Sequence, residues 1–136
     1  MQYDKLYIHT DGGSRGNPGP GAIAVVIKDE NGKTIEEYSR CIGETTNNRA
    51  EYSAILKALE LADKLCKKEI TIFSDSENTV KQLQGINKVK DKELLKLFNI
   101  TKEKEKSFEK VTYNHVKRED NKRADKLVNE ALDNSS

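Results

Sequence analysis

A chain of 136 residues has the size of one domain and buries about two-thirds of its unfolded surface, enough for one core and not two. Charged residues make up 35% of it, yet the formal net charge is only +1. That excludes the overall basicity common among nucleic-acid binders and confines any basic surface to local patches.

The first apolar run, Leu6 to Thr10, ends at Asp11 and predicts a strand over 4–11. Gly12 to Gly21 follows with five of the eight glycines and both prolines, so a sharp turn is expected directly at the acid. Further strands are predicted over 20–29 and 33–42, with Asn31-Gly32 between them as a hairpin signal. A helix over 48–66 carries Ile55, Ala58, Leu59, Ala62 and Leu65 on one stripe, and Glu51 lies on that same stripe. An inward carboxylate requires a partner. Ile70 to Ser74 reads as a strand over 69–74 that ends at Asp75. Helices over 77–84 and 91–106, a strand over 111–115 and a helix over 121–132 complete the order, with Asp125 at the edge of the last helix's apolar stripe. The Lys/Glu-rich stretch 102–110 reads as a solvated helix end, and the tail 133–136 as frayed.

Three consecutive strands followed by helix-linked ones imply an α/β fold, a mixed sheet covered by helices, in a single domain spanning 1–136. If the first and fourth strands pair in parallel, Asp11 and Asp75 become neighbours, and Glu51 is brought towards both. Asp11, Glu51, Asp75 and Asp125 could then build one metal site. Packed together without a cation they would repel, and at least one pKa would rise. Cys41 and Cys66 show neither zinc-site nor redox-pair spacing, the N-terminus has no apolar signal core, and Ala22 to Ile27 is too short to span a bilayer. The expectation is a reduced, cytoplasmic protein, monomeric by default and without a membrane partner.

Four motifs carry a family resemblance: D-G-G-S-R-G-N-P-G-P-G from Asp11, T-T-N-N-R-A-E ending at Glu51, S-D-S at 74–76, and H-V-K-R-E-D-N-K-R-A-D ending at Asp125. In this order, over about Leu6 to Leu132, they resemble type 1 ribonuclease H. The resemblance implies a ribonuclease H-like fold with a five-stranded mixed sheet. It also implies an endonuclease that hydrolyses the RNA strand of RNA/DNA hybrids, leaving 5′-phosphate and 3′-hydroxyl ends. Asp11, Glu51, Asp75 and Asp125 fall on the family's catalytic carboxylates and would hold two Mg²⁺ ions, with Mn²⁺ a possible substitute.

His115, ten residues before Asp125, matches a histidine that assists the attacking water or product departure. A structural hydrogen bond at a strand end is the alternative. Lys117 to Asp120 departs from the bacterial pattern, which has a second histidine near Arg118, and is similar to the archaeal and plant-like branch. Arg118 would either clamp phosphate or solvate a loop. Asn17, Asn47 and Asn48 match positions that read RNA 2′-hydroxyls in the minor groove, Gly12 and Gly13 would let the RNA approach closely, and Thr46 matches a phosphate-pocket position. Local chemistry explains some of these equally well: Asn48 with Glu51 has capping-box spacing, and Asn17-Pro18-Gly19 is turn chemistry.

Two departures weaken substrate grip. Glu77 stands where many relatives carry an RNA-contacting glutamine, and the stretch between Asp75 and Asp125 is too short for the basic protrusion of some bacterial members. Lys81, Lys88, Lys90, Lys92 and Lys96 could compensate in part, so weaker and more salt-sensitive binding is expected. Cleavage of duplex RNA is open. Among competing readings, a P-loop lacks its Lys-Ser/Thr pair. A resolvase or integrase would not be expected to pair the acids with this asparagine set, and a non-catalytic hybrid-binding module predicts the loss of an acid that is present here.

Overall fold

The computed structural model describes residues 2–135. The elements are β1 (Tyr3–Ser14), β2 (Gly19–Lys28), β3 (Thr34–Thr45), α1 (Asn47–Asp63), β4 (Cys66–Ser74), α2 (Glu77–Leu83), α3 (Lys92–Glu105), β5 (Lys110–His115), a 3-10 turn over Arg118–Asp120, and α4 (Lys122–Asp133). One five-stranded sheet runs in the order β3-β2-β1-β4-β5. β1, β2 and β3 form an antiparallel meander, whereas β1-β4 and β4-β5 are parallel, as helix-linked strands require.

Period-two alternation divides the sheet residues between two helical layers. Leu6, Ile8, Val25, Ile27, Ile70 and Ile72 pack under Tyr52, Ile55 and Leu59 of α1, together with Leu83, Leu94 and Tyr113. Ala22, Ala24 and Val26 face Ala124, Leu127, Val128 and Leu132 of α4. Small β2 side chains leave room for α4 to lie close to the sheet.

Four element ends lie three residues from expectation, one of them the end of β3, which runs on past 42 to Thr45. β1 does not end at Asp11 but continues through Gly12 and Gly13 to Ser14, pairing with Ile23, Ala22 and Gly21 of β2. Gly12 serves a close approach and not a turn: a Cβ there would collide with the Ala50 carbonyl at the start of α1. The bend falls later, where Arg15 N–H bonds the Pro20 carbonyl at 2.8 Å and Gly16 adopts a φ of 113°. α1 stops at Asp63, so Cys66 opens β4 and lies buried in the core. The predicted hairpin holds, with Asp29 Oδ1 accepting from the N–H groups of Asn31 and Lys33.

The stretch 102–110 is not simply solvated. Lys102 Nζ donates to the Leu83 carbonyl at 2.6 Å and lies over the Phe98 and Tyr113 rings, while Glu105 accepts from the Tyr113 hydroxyl at 2.6 Å. At the C-terminus Asn134 N–H bonds the Glu130 carbonyl and Ser135 Oγ donates to Leu132; Ser136 lies outside the described residues. No helix is long and apolar enough to cross a membrane among the described residues.

Candidate active site

The parallel pairing of β1 with β4 sets Asp11 and Asp75 side by side at one end of the sheet. The Gly12 gap lets α1 press its first turn against β1, so Glu51 reaches over the same end. Glu51 Oε1 accepts the Gly12 N–H at 2.9 Å and Oε2 accepts the Ser74 hydroxyl at 3.0 Å. The acid on the apolar stripe thus has its partners, which are not those of a capping box. The helix is capped instead by Thr46, whose hydroxyl accepts Arg49 N–H at 3.3 Å.

Carboxylate oxygens of Asp11, Glu51 and Asp75 all lie within 4.8 Å of one another. Asp11 and Glu51 are only 7% and 6% exposed. Burial pushes the Asp11 carboxyl up to about 9, helped by the charges of Glu51 and Asp75, by a hydrogen bond with Glu51 and by Asp125. Burial also raises Glu51, to about 7, against the downward pull of the Gly12 N–H. The two carboxyls titrate as a pair, and burial favours a proton held between them. Asp75 is raised by burial, while the Asn121 side chain and the Arg118 charge pull it down. This oxygen-only set, held too close for full ionisation, fits a hard divalent cation.

Asp125, in the first turn of α4, lines the same cavity of about 430 Å³ but stands outside the tight trio. Its carboxylate pairs with Arg118 at 3.2 Å. Arg118 comes from the 3-10 turn and lines the cavity, whereas His115 does not. His115 closes β5 opposite Ser74, on the face that Tyr113 turns towards α3, and is exposed there.

Gly12, Gly13, Asn47 and Asn48 also line the cavity; Asn17 and Thr46 do not. Asn17 Oδ1 accepts Asn47 N–H at 3.0 Å, and Asn47 Oδ1 accepts Ser14 N–H at 2.9 Å. These amides stitch the glycine loop to the start of α1. Thr46, as a cap, has its hydroxyl engaged. Ser14, Arg15, Ser76, Val128, Asn129 and Leu132 complete the walls without having been singled out from sequence. Ser74 and Asn121 were missed as supports. Asn121 directly precedes α4 and so has the sequence signature of a cap, but its side chain makes no capping bond; it turns inward instead.

Comparison with known proteins agrees with this geometry. The reverse transcriptase-like family matches residues 9–131. The ribonuclease HI of Halobacterium salinarum is 38% identical over 131 residues, covering 96% of this chain and 66% of that protein. A bifunctional protein of Mycobacterium tuberculosis is 41% identical over 130 residues, but this chain spans only 36% of its length. Among solved structures, LC11-RNase H1 in complex with an RNA/DNA hybrid superposes with a TM-score of 0.90 at 47% identity, covering 96% of this chain and 98% of that one. RNase H1 of Halobacterium salinarum gives 0.93 at 38% identity, with coverage of 96% and 99%. Sheet order, acid placement and near-complete coverage converge: the chain belongs to the type 1 ribonuclease H family.

Proposed function

We propose that this chain is a cation-dependent endoribonuclease that cuts the RNA strand of RNA/DNA hybrids, leaving 5′-phosphate and 3′-hydroxyl ends, with residues 1–136 serving as one such domain. The observation that carries it is the close-set trio of buried Asp11 and Glu51 with half-buried Asp75, and Asp125 across one open cavity. Mg²⁺, with Mn²⁺ as substitute, is the fitting cofactor; a pair of such ions supplies an activated water and stabilises the departing oxygen. The chain's own contribution is to hold four carboxylates at fixed positions, with Gly12 N–H and Ser74 fixing Glu51.

Gly12, Gly13, Asn47 and Asn48 form the wall that takes the RNA sugar edge, where side-chain amides both donate and accept to 2′-hydroxyls. Asn17 and Thr46 act behind that wall, by setting the Ser14 to Asn47 contact and the start of α1. Arg118 is 75% exposed on its side chain, so it can leave Asp125 and neutralise a phosphate. We place it, and not His115, beside the reacting phosphate. The two free thiols, Cys41 and Cys66, suit the reducing cytoplasm.

The test is cleavage of an end-labelled RNA/DNA hybrid with Mg²⁺, with EDTA and with Asp11→Asn, alongside duplex RNA and duplex DNA. Cutting of the hybrid's RNA strand that needs the cation and Asp11 is expected. No cutting with either Mg²⁺ or Mn²⁺ would overturn the reading in favour of a binding module.

A further inference from the structure

His9 has no role in the site described so far, yet it touches the group that holds it together. Asn121 is 1% exposed, and a buried amide must spend its donors and its acceptor. Its Nδ2 donates to the Thr10 carbonyl at 2.9 Å, one residue before Asp11, and its side chain works against burial to pull the Asp75 carboxyl down. Its backbone carbonyl accepts Asp125 N–H at 3.1 Å. One residue therefore ties β1 to the first turn of α4, the elements that carry Asp11 and Asp125, and acts on Asp75 as well.

That arrangement works in only one amide orientation. With Nδ2 turned to Thr10, Oδ1 faces His9 Nδ1 at 2.9 Å. An amide oxygen only accepts, so Nδ1 must carry the proton. The imidazole is fixed in turn by stacking on Phe73, at 4.8 Å between centroids and 22° between planes. Phe73 lies in β4, two residues before Asp75, which directly follows the strand. Without the N–H of His9 the buried Asn121 oxygen loses its donor, and the Thr10 carbonyl alone is left to hold the amide in place.

We propose that His9 is a positioning residue for the metal site: its Nδ1–H locks the Asn121 amide, and the locked amide fixes Asp75 relative to Asp11 and Asp125. This rests on the proposed nuclease reading for its consequence in catalysis, while its effect on cation binding stands apart from turnover. Partners that orient metal ligands typically change metal affinity or activity by about 10–100-fold when removed.

Two variants separate the donor from the ring. His9→Phe keeps an aromatic face for Phe73 and removes the N–H; His9→Asn places an amide N–H where Nδ1 sits and removes the ring. Mn²⁺ binding to the full chain is measured by electron paramagnetic resonance, with melting curves in EDTA and hybrid cleavage in parallel. His9→Phe should weaken Mn²⁺ binding about tenfold and lower kcat with KM for the hybrid unchanged, and His9→Asn should bind Mn²⁺ like the parent even where it melts earlier. Parent-like binding by His9→Phe, or equal weakening in both variants, overturns the proposal. A parent that binds Mn²⁺ but cuts no hybrid would instead sink the nuclease reading, and the order of Mn²⁺ affinities would still decide the role of His9.

Discussion

The two halves of the acidic cluster are built differently. Asp11 and Glu51 are buried against each other, and Glu51 is gripped by a backbone and a hydroxyl donor. Asp75 and Asp125 lie nearer the cavity mouth and are held by side chains: Asn121 and Arg118. The buried half is a rigid anchor whose charge is suppressed until a cation arrives. The outer half is more exposed and its partner Arg118 is free to move, as the proposed admission and release of a phosphate would require.

Substitutions at Glu51 and Asp125 sharpen that contrast most. Glu51→Gln keeps an oxygen for the Gly12 N–H, so the fold should survive, while turnover falls by about three orders of magnitude, the upper scale for losing a group that stabilises developing charge. Its melting temperature in EDTA should rise above the parent's, because one repelling carboxyl is gone. Asp125→Asn should lose less turnover and leave the EDTA melting temperature near that of the parent. Equal losses at both positions, measured by single-turnover cleavage, would erase the distinction.

The anchor also depends on the gap at Gly12. In Gly12→Ala the new Cβ meets the Ala50 carbonyl, so α1 must shift and Glu51 with it. A destabilisation of about 1–3 kcal/mol is expected from such overpacking, measured by urea denaturation, with turnover falling further than stability alone explains. Unchanged turnover would mean that Glu51 needs no close seating.

Proton linkage tests the same half without mutation. Asp11 and Glu51 sit above their ordinary values in the folded chain, at about 9 and about 7. Over the interval between ordinary and raised values the native state binds more protons than the unfolded one, so stability falls as pH rises. In EDTA the melting temperature should drop from about pH 5 to about pH 9, and saturating Mg²⁺ should flatten the slope by neutralising the pair. A flat profile in EDTA would show that the two carboxyls do not repel.

What the sequence made legible follows the same division. The strand-helix order and the four acids could be read because periodicity and glycine clustering are local signals. The supports of the acids could not. Glu51 at 51 and Asn48 have capping-box spacing, yet Gly12 and Ser74, 39 and 23 residues away, claim the carboxylate. Asn121 has the look of a cap and instead bonds Thr10 across 111 residues. Likewise β1 continues past Asp11 because β2 pairs with it, which no turn propensity within Gly12 to Gly21 reveals.

The smallest effects belong to the cavity mouth, where His115 and Arg118 compete for one role. Ten-residue spacing before Asp125 favours His115, but a strand side chain alternates faces, and this one shares the face of Tyr113 beyond the cavity wall. Arg118 reaches Asp125 from the 3-10 turn at 3.2 Å. An exposed ion pair contributes about 0–1 kcal/mol, so Arg118→Ala should barely change the melting temperature. Its loss should appear in turnover, falling several-fold, and in a shallower salt dependence of hybrid binding if one phosphate contact disappears. His115→Ala should leave both at the parent's level. The reverse order, with His115→Ala slow and Arg118→Ala normal, would mean that the loop between β5 and α4 rearranges when the hybrid binds and carries the histidine to the phosphate.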